Sequence, residues 1–391
     1  MVSPSPHGRQ AARVLVAGLV LQLAFGLVFA WGSVVPYVRA EWHWPPLLLG
    51  AVFSGTPFGF GIGTLLGGRL ADRIPARRLC WAGMALLAVG FSVAFIAPSG
   101  VTFVVFYSAL GLGLGGGVAL TGAVAAATQV MPQRVGSLGG ALTAAYATAV
   151  VFEAPLIAVL TPHIGWFNAL RLVGVGMGLV AALILLFMPR LPPARHATAA
   201  RPANQFQLLR RPAVWTSTLM LFSSADLGSY AAVDLVSHAR ADHLAVWIGT
   251  AALVGLALAN IASRIVSGFA TDRFGVDPVM GAVLCMVLLA AGIMVVAGST
   301  EAGILAAGVS AGIPVGGGPG LMSKLASVSA PDAPNSVFGI FFAGFASGSL
   351  LGPLIGEPLG GSAAWIAVAA PAIGGLVLLQ VRSRLRRAGR L

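Results

Sequence analysis

Twelve long apolar stretches run through this chain, and they restrict its fold more than any other feature. Each has about 20 residues or more, enough for a helix to cross a hydrocarbon core roughly 30 Å thick. They lie near 12–37, 46–70, 79–98, 102–130, 138–161, 166–188, 213–237, 244–270, 279–298, 302–326, 336–357 and 363–381. Because a helix satisfies its own backbone hydrogen bonds in lipid, the stretches predict an all-α membrane protein of about twelve transmembrane helices.

The composition excludes an ordinary water-soluble protein. Apolar residues make up 58% of the 391 positions and charged residues only 9%, which is too few to cover a surface in water. We therefore expect a lipid bilayer around most of the chain. The formal net charge of +12 would suggest a nucleic-acid partner in a soluble protein, but the positions of the basic residues give another explanation.

The basic residues indicate the orientation of the predicted helices. If the N-terminus is cytoplasmic, 19 of the 23 Lys and Arg face the cytoplasm. Arg39, Arg171 and Arg240 then face outward, and Arg264 lies inside a helix. This bias follows the positive-inside rule. It predicts a multi-pass protein of the cell (inner, cytoplasmic) membrane with both termini cytoplasmic, and no nucleic-acid partner is needed.

A polar segment and an internal repeat divide the chain into two halves. The segment 189–212 is rich in Pro, Ala and Arg and separates six apolar stretches in 1–188 from six in 213–391. We interpret it as a cytoplasmic linker between two pseudo-symmetric six-helix halves. The motif G-x-x-x-D-R ends the second stretch of each half, with an offset of 200 residues: Gly68, Asp72 and Arg73, then Gly268, Asp272 and Arg273.

Small residues line one face of three predicted helices. They recur at every fourth position, as Gly55, Gly59, Gly63 and Gly67, as Gly255, Ala259, Ser263 and Ser267, and as Gly344, Gly348, Gly352 and Gly356. Helices in lipid associate by close backbone approach. Each face therefore predicts a tight helix interface.

The two G-x-x-x-D-R motifs resemble the signature of the major facilitator superfamily, although Pro75 stands where the family usually has Gly. The resemblance implies a secondary transporter with a substrate site between the halves near the bilayer midplane, worked by alternating access as one half rocks against the other. It implies a transport protein that is not an enzyme. We expect no cofactor, no metal and a monomer, and Cys80 and Cys285 have no metal-binding spacing.

Within that superfamily, the chain is most similar to the monocarboxylate and oxalate/formate porters. The segments 29–36, 131–136 and 260–264 carry this resemblance, and the last contains the counterpart of a substrate-facing arginine. Oxalate porters have a lysine in helix eleven where this chain has Phe345. The resemblance thus implies one binding cation and a small organic monocarboxylate as the substrate, with a proton as the candidate partner for symport.

Arg264 is the ionisable residue that most needs an explanation. Inserting an arginine at the bilayer centre costs about 2.5–3.5 kcal/mol, and Asn260, one turn earlier, shares its face. Together they present a guanidinium and an amide to a substrate carboxylate. The alternative is a permanent ion pair with Asp226, Asp234 or Glu153. These three carboxylates are also the candidates for carrying a proton, because desolvation favours their uncharged form.

Other candidate residues have roles that remain open between binding and structure. Trp31, Tyr146 and Phe345 are candidates to line the substrate cavity, since ligand sites are mostly apolar, and ordinary packing is the alternative. We expect Asp72 and Asp272 to serve gating without touching the substrate, because a carboxylate at a helix end pairs across the interface between halves or caps a neighbouring helix.

Two other functions fit the same sequence. Export of a lipophilic or cationic compound uses the same fold, but Arg264 argues against it because a fixed cation repels such cargo. The other is a membrane sensor that binds its ligand without transporting it. Flux in proteoliposomes separates the sensor from both transporters.

The predicted topology is testable by labelling single cysteines in a background without Cys80 and Cys285. A reagent that cannot cross the membrane should label a cysteine placed beside Arg240 and not one beside Arg201, because the basic residues put these positions on opposite sides. The reverse pattern would overturn the assignment.

Overall fold

A computed structural model describes residues 6–193 and 205–387, and the regular structure in these ranges is entirely helical. Twelve of the described helices are long and apolar enough to cross a membrane. The all-α class and the predicted number of spans are therefore confirmed. Residues 194–204 of the linker, with Arg195 and Arg201, lie outside the described residues, as does Arg390.

The helices of the first half, α1 to α6, follow one another with short connections. Their bounds are α1 (Pro6–Phe25, a 3-10 segment Gly26–Ala30 and Trp31–Trp42), α2 (Pro46–Ala71), α3 (Ala76–Ile96), α4 (Gly100–Thr102, a π-helical segment Phe103–Leu114 and Gly115–Val130), α5 (Val135–Ile164) and α6 (Trp166–Leu186). Between α4 and α5 the chain makes one 3-10 turn, Pro132–Arg134.

The second half repeats this order of six long helices. A short helix, Gln205–Leu209, precedes it. The bounds are α7 (Pro212–Ala241), α8 (Val246–Phe274), α9 (Val276–Ala297), α10 (Glu301–Ser329), α11 (Pro334–Leu359) and α12 (Gly361–Arg387).

The first helix of each half runs past its predicted end. The apolar stretches end near 37 and 237, but α1 continues to Trp42 and α7 to Ala241. Polar residues lower the hydropathy there without interrupting a helix. The backbone then turns at His43 and His243, which have φ of 53° and 55°, a conformation that few non-glycine residues adopt. Because these residues are 200 positions apart, the repeat includes the turn geometry.

The chain forms two compact units. The first comprises Met1–Gln133 and Leu142–Pro202, and the second comprises Arg134–Ala141 and Ala203–Leu391. The first two turns of α5 therefore belong to the second unit, although the rest of that helix belongs to the first.

The small-residue face of α2 packs against α4 in the first unit. A Cβ added at Gly59 would overlap the backbone of Ala109, and one added at Gly63 would overlap the backbone of Leu114. Only glycine allows the two backbones to approach this closely. The tight interface predicted for this face is confirmed.

A second glycine face completes the corresponding interface in the second unit. The small residues of α8 meet glycines of α10 that recur at every fourth position, namely Gly308, Gly312, Gly316 and Gly320. A Cβ at Gly312 would overlap the carbonyl of Leu256. The sequence predicted the face on α8 but did not identify its partner on α10.

The third predicted face packs α11 against α7. A Cβ at Gly348 would overlap the backbone of Phe222, and one at Gly352 would overlap the backbone of Asp226. This interface fixes the register of α11 along α7, so that each small residue of α11 faces the next turn of its neighbour.

Replacing Gly59 by leucine should disrupt the first unit. The leucine cannot fit against Ala109, and overpacking costs about 1–3 kcal/mol or more, so the yield of monodisperse protein in size-exclusion chromatography should fall severalfold. Gly50→Leu is the matched control, because Gly50 lies on the same helix with open space beside it. Equal yields of the two variants would contradict the packing assignment.

Candidate functional site

Arg264 and Asn260 form a buried polar pair on α8. Only 6% of Arg264 is exposed, and its Nε donates a hydrogen bond to Asn260 Oδ1 at 2.9 Å. The residues are one turn apart, so they lie on the same face of the helix. The structure thus brings together two of the residues that the sequence suggested for substrate binding.

The hydrogen bond to Asn260 orients the guanidinium of Arg264. This group has five N–H donors in one rigid plane, and fixing Nε restricts how the plane turns. A carboxylate is bound best by two parallel N–H donors of such a plane, which makes the pair a candidate anion-binding element.

Close backbone contacts set the position of this pair. A Cβ at Gly316 of α10 would overlap the carbonyl of Asn260, and one at Gly320 would overlap that of Arg264. Gly140, in the second turn of α5, also adjoins the carbonyl of Arg264. Arg264 is therefore held on a stretch of helix that is contacted closely from two sides.

Phe345 lies on the other side of α10 from the Arg264 pair. It is 7% exposed, and a Cβ added at Gly318 would stand 3.4 Å from its ring. Residues two positions apart in a helix point in nearly opposite directions, so Gly316 faces α8 while Gly318 faces Phe345. These contacts place Phe345 across α10 from Arg264.

The carboxylates of α7 have identified partners. Asp226 is 2% exposed, and its Oδ1 accepts the N–H of Leu227 at 2.6 Å. Asp234 Oδ2 accepts the indole N–H of Trp365 at 2.9 Å and lies 3.4 Å from Nδ1 of His238. Asp234 is thus part of a separate polar cluster near the C-terminal end of α7.

The aromatic candidates of the first unit differ in their surroundings. Trp31 is 2% exposed, and its indole donates to the carbonyl of Leu49 at 3.1 Å, which matches the packing alternative. Tyr146 is half-buried, with its ring centroid 5.2 Å from that of Phe29 and 5.0 Å from that of Phe60. Tyr146 is therefore the more accessible of the two to a ligand.

Glu153 is a buried carboxyl group of α5 in the first unit. It is 2% exposed, and neither of its oxygens accepts a hydrogen bond from any residue that the structure describes. The hydroxyl of Tyr107 has no hydrogen-bond partner among those residues either. Burial without a partner favours the uncharged carboxyl, because an isolated buried charge is very costly.

Asp272 caps the N-terminus of α5 within the second unit. Its carboxylate accepts the backbone N–H groups of Gly136 at 3.1 Å and Ser137 at 2.8 Å, together with the Ser137 hydroxyl at 2.5 Å. Lys324 lies 3.7 Å from the same carboxylate. Gly268 allows this approach, since a Cβ there would stand 2.6 Å from the Gly136 carbonyl. Two motif residues thus act together at one helix end.

The other motif residues lie at the ends of α2 and α8. Gly68 is buried, Asp72 is half-buried and Arg73 is exposed. In the second copy, the guanidinium of Arg273 is also exposed and lies 5.4 Å from the ring centroid of Phe274. The arginines are therefore surface groups, whereas the glycines and aspartates take part in the packing at each helix end.

The described residues offer no cluster of three His, Cys, Asp or Glu side chains suited to a metal ion. Cys80 is buried and Cys285 is exposed, and both are free thiols. Nothing in their geometry indicates a cofactor site.

Sequence analysis missed His238 and Trp365 as the partners of Asp234. His238 follows Asp234 by four residues, and this spacing is a visible signal for contact on a helix. The internal repeat was the sequence signal for Trp365. Trp166 begins α6, and Trp365 lies 199 positions later, near the start of α12. The Trp166 indole also donates to a carboxylate, Glu41 Oε2, at 2.8 Å.

A family comparison covers most of the chain. The sequence model described as Major Facilitator Superfamily matches residues 14–353. Among solved structures, the transporter FucP in the outward conformation has a TM-score of 0.73 at 16% identity, covering 95% of this chain and 99% of that chain. At this identity the likeness establishes the fold alone, and it confirms the fold expected from the motifs.

Three relatives align over shorter parts of the chain. The uncharacterized MFS-type transporter YhjX of Escherichia coli (strain K12) is 23% identical over 286 residues, 70% of this chain and 69% of that protein. A gentisate transporter of Corynebacterium glutamicum is 28% identical over 155 residues, 37% of this chain and 34% of that protein. The uncharacterized transporter YycB of Bacillus subtilis (strain 168) is 25% identical over 238 residues, 58% and 54% of the two lengths.

Replacing Asp272 by alanine should loosen the start of α5. Losing a cap costs about 1 kcal/mol, roughly a fivefold change in a local opening equilibrium. Hydrogen exchange at the amides of Gly136 and Ser137 should therefore accelerate by about that factor, while exchange in α12 stays unchanged. The control is Glu301→Ala, at an exposed carboxylate in the first turn of α10. Unchanged exchange in Asp272→Ala would show that the cap contributes nothing.

Proposed function

This chain belongs to the Major Facilitator Superfamily and is a multi-pass membrane transporter, and we propose that its cargo is a small organic monocarboxylate bound at Arg264. The family and the fold are those of transporters, but they do not define a substrate class. The proposal for the substrate therefore depends on the chemistry of the Arg264 pair.

The observation that carries the proposal is the buried, oriented guanidinium of Arg264. Arginine in a membrane helix is costly and is by default a functional candidate. Its contact with Asn260 orients a planar group, and such a group suits the two oxygens of a carboxylate better than a point charge would. A cationic cargo would be repelled at the same place, which makes export of cationic compounds the weaker alternative.

The residue at position 345 favours an anion with a single carboxylate. On the α11 side of α10 the chain has the aromatic ring of Phe345, where the oxalate porters that it resembles have a lysine. A second carboxylate would therefore have no lysine to pair with there, and an unpaired buried charge is strongly unfavourable. One relative is named a gentisate transporter, which supports a carboxylate as cargo.

We infer that transport occurs by alternating access, with a proton as the coupling ion and the cytoplasmic membrane as the location. Uptake of an anion together with a proton moves no net charge, so the membrane potential does not oppose it. Asp272, which lies on α8 and caps the start of α5, and its counterpart Asp72 then serve the conformational change. A non-transporting sensor has no specific observation in its favour.

Substitutions at Arg264 should separate carboxylate binding from a structural role. The assay is counterflow in proteoliposomes with labelled lactate, benzoate, gentisate, oxalate and succinate. We expect exchange of one or more of the three monocarboxylates. Arg264→Gln should lower affinity by about 30-fold or more, because truncating one partner of a buried charged pair costs about 2–5 kcal/mol. Arg264→Lys should retain weak binding, since it keeps the charge but loses the planar donors.

The control is Arg171→Gln, an exposed arginine of α6, which should bind like the wild type. If Arg264 instead forms an ion pair with Asp226, the double variant Arg264→Gln, Asp226→Asn should recover transport. Such recovery would make Arg264 structural. Full activity in Arg264→Gln alone would reject the carboxylate proposal and favour export of an uncharged or cationic compound.

A further inference from the structure

We propose that Asp234, His238 and Asp242 form the proton-binding site of this transporter, with the proton held on the imidazole of His238. This inference rests on the proposed proton-coupled transport and deepens it, because it names the group that takes up the proton. The sequence analysis offered Asp234 as one of three single carboxylates and did not include the histidine.

The three side chains form a linear array at the C-terminal end of α7. His238 Nδ1 lies 3.4 Å from Asp234 Oδ2, and His238 Nε2 lies 3.6 Å from Asp242 Oδ2. Asp234 and His238 are each 17% exposed, and Asp242 is 34% exposed. Exposure therefore rises from one end of the array to the other, so a proton can reach His238 from the more open end.

The positions of the two carboxylates select the charge state of the ring. A neutral imidazole has one N–H donor and one bare nitrogen, whereas an imidazolium has a donor at each nitrogen. Here each nitrogen faces a carboxylate oxygen, so the neutral ring would direct a lone pair at an anion. The doubly protonated ring instead interacts favourably with both oxygens. Binding of one proton thus changes the net charge of the array from about −2 to −1.

Trp365 of α12 holds Asp234 in place for this role. Its indole N–H donates to Asp234 Oδ2 at 2.9 Å, the same oxygen that faces His238. An indole is a donor only and does not titrate in this range. It therefore orients the carboxylate without competing for the proton.

The neighbouring helices add acidic and neutral groups around this array. Tyr230 lies one turn before Asp234 and feels its charge, together with the charge of Glu357 from α11. The Tyr230 ring centroid is 5.3 Å from that of Trp365. Gly298, just after α9, adjoins the imidazole. Asp234 and Asp242 face the two ring nitrogens of His238, and these carboxylates favour a cation on the ring.

The first unit has the same indole-to-carboxylate bond without a histidine at the next turn. There Trp166, at the start of α6, donates to Glu41 at 2.8 Å, but Glu41 is exposed and Pro45 stands one turn after it. In the second unit the corresponding bond to Asp234 lies deeper, and a histidine follows at the next turn. The indole to carboxylate anchor is shared by both units, whereas the titratable ring belongs to the second alone.

The proposed transfer is balanced in charge and atoms. A proton from the external solution adds to the free ring nitrogen of His238 and forms the imidazolium, and the same N–H bond breaks when the proton is released after the conformational change. The substrate carboxylate travels as an anion on Arg264. The array lies at the end of α7 opposite Arg211, which is the outer end in the orientation that the basic residues predict, so protons enter where an inward gradient supplies them.

A first test needs no substrate. The full-length protein is labelled with ¹⁵N-histidine, and the His238 signal is identified as the one lost in His238→Gln. As the pH is lowered, the second ring nitrogen of His238 should gain its proton at a higher pH in the wild type than in Asp234→Asn, because the variant lacks one of the two facing anions. Equal titration of His238 in the two proteins would overturn the proposal.

A second test uses whichever labelled monocarboxylate exchanges in counterflow. Wild-type counterflow identifies this acid, since exchange needs no net proton movement. In His238→Gln, accumulation of the acid driven by an inward pH gradient should fall more than tenfold. His163→Gln, an exposed histidine of α5, is the matched control and should accumulate normally. Undiminished accumulation by His238→Gln would overturn the assignment.

The two tests fail for different reasons. If no acid exchanges in the wild type, the proposed cargo is wrong, and the charge state of His238 still decides the proton site. If the acid exchanges and His238→Gln accumulates it, the cargo stands and the proton site is wrong. Should His238→Gln not fold, Asp242→Asn provides the transport comparison, with the expected loss of accumulation reduced to about threefold because Asp234 still faces the ring.

Discussion

Close contact between helix backbones is the constraint on which the rest of each unit depends. Lipid provides no hydrophobic force that would press one apolar helix onto another, so association requires small residues and many close contacts. In the second unit, Gly316 and Gly320 of α10 touch the carbonyls of Asn260 and Arg264. The position of the buried cation therefore follows from glycines that carry no chemistry themselves. A larger side chain at either glycine would displace the guanidinium along with its helix.

The sequence was sufficient to predict the spans, the fold and one polar pair. Helices that cross lipid must be long and apolar, so the twelve spans can be recognised from the hydropathy of the sequence. The spacing of Arg264 and Asn260 predicts that they share a face of one helix. Contacts between helices were harder to predict. The repeat marks Trp365 as the counterpart of Trp166, but the sequence alone assigns neither Trp365 to Asp234 nor Ser137 to Asp272, because such contacts depend on the register of helices that are distant in the chain.

The two units share their anchors and differ in their buried polar groups. Each has an indole near the start of its sixth helix that binds a carboxylate at the end of its first helix, and each turns after that helix at a histidine with positive φ. The first unit buries Glu153 without a hydrogen bond from a described residue, while the second buries Arg264 beside Asn260. The pseudo-symmetry thus includes the helices and their anchoring contacts but not the buried polar side chains. This is expected, because both halves can keep one fold while the residues at particular sites differ.

The division of charge within the second unit gives a physical reason for the proposed placement of cargo and proton on neighbouring helices. Arg264 on α8 is a permanent cation, so a carboxylate bound there would neutralise it without help from a proton. The proposed proton-binding array on α7 would instead change its charge when His238 is protonated. Because the two groups are neutralised by different ligands, each can respond to its own ligand concentration. Coupling between them then requires only that both favour the same conformation when occupied, since a ligand shifts an equilibrium by its difference in affinity for the two states. Direct contact between carboxylate and proton is unnecessary in this scheme, and helices joined by one short turn are well placed to share such a change.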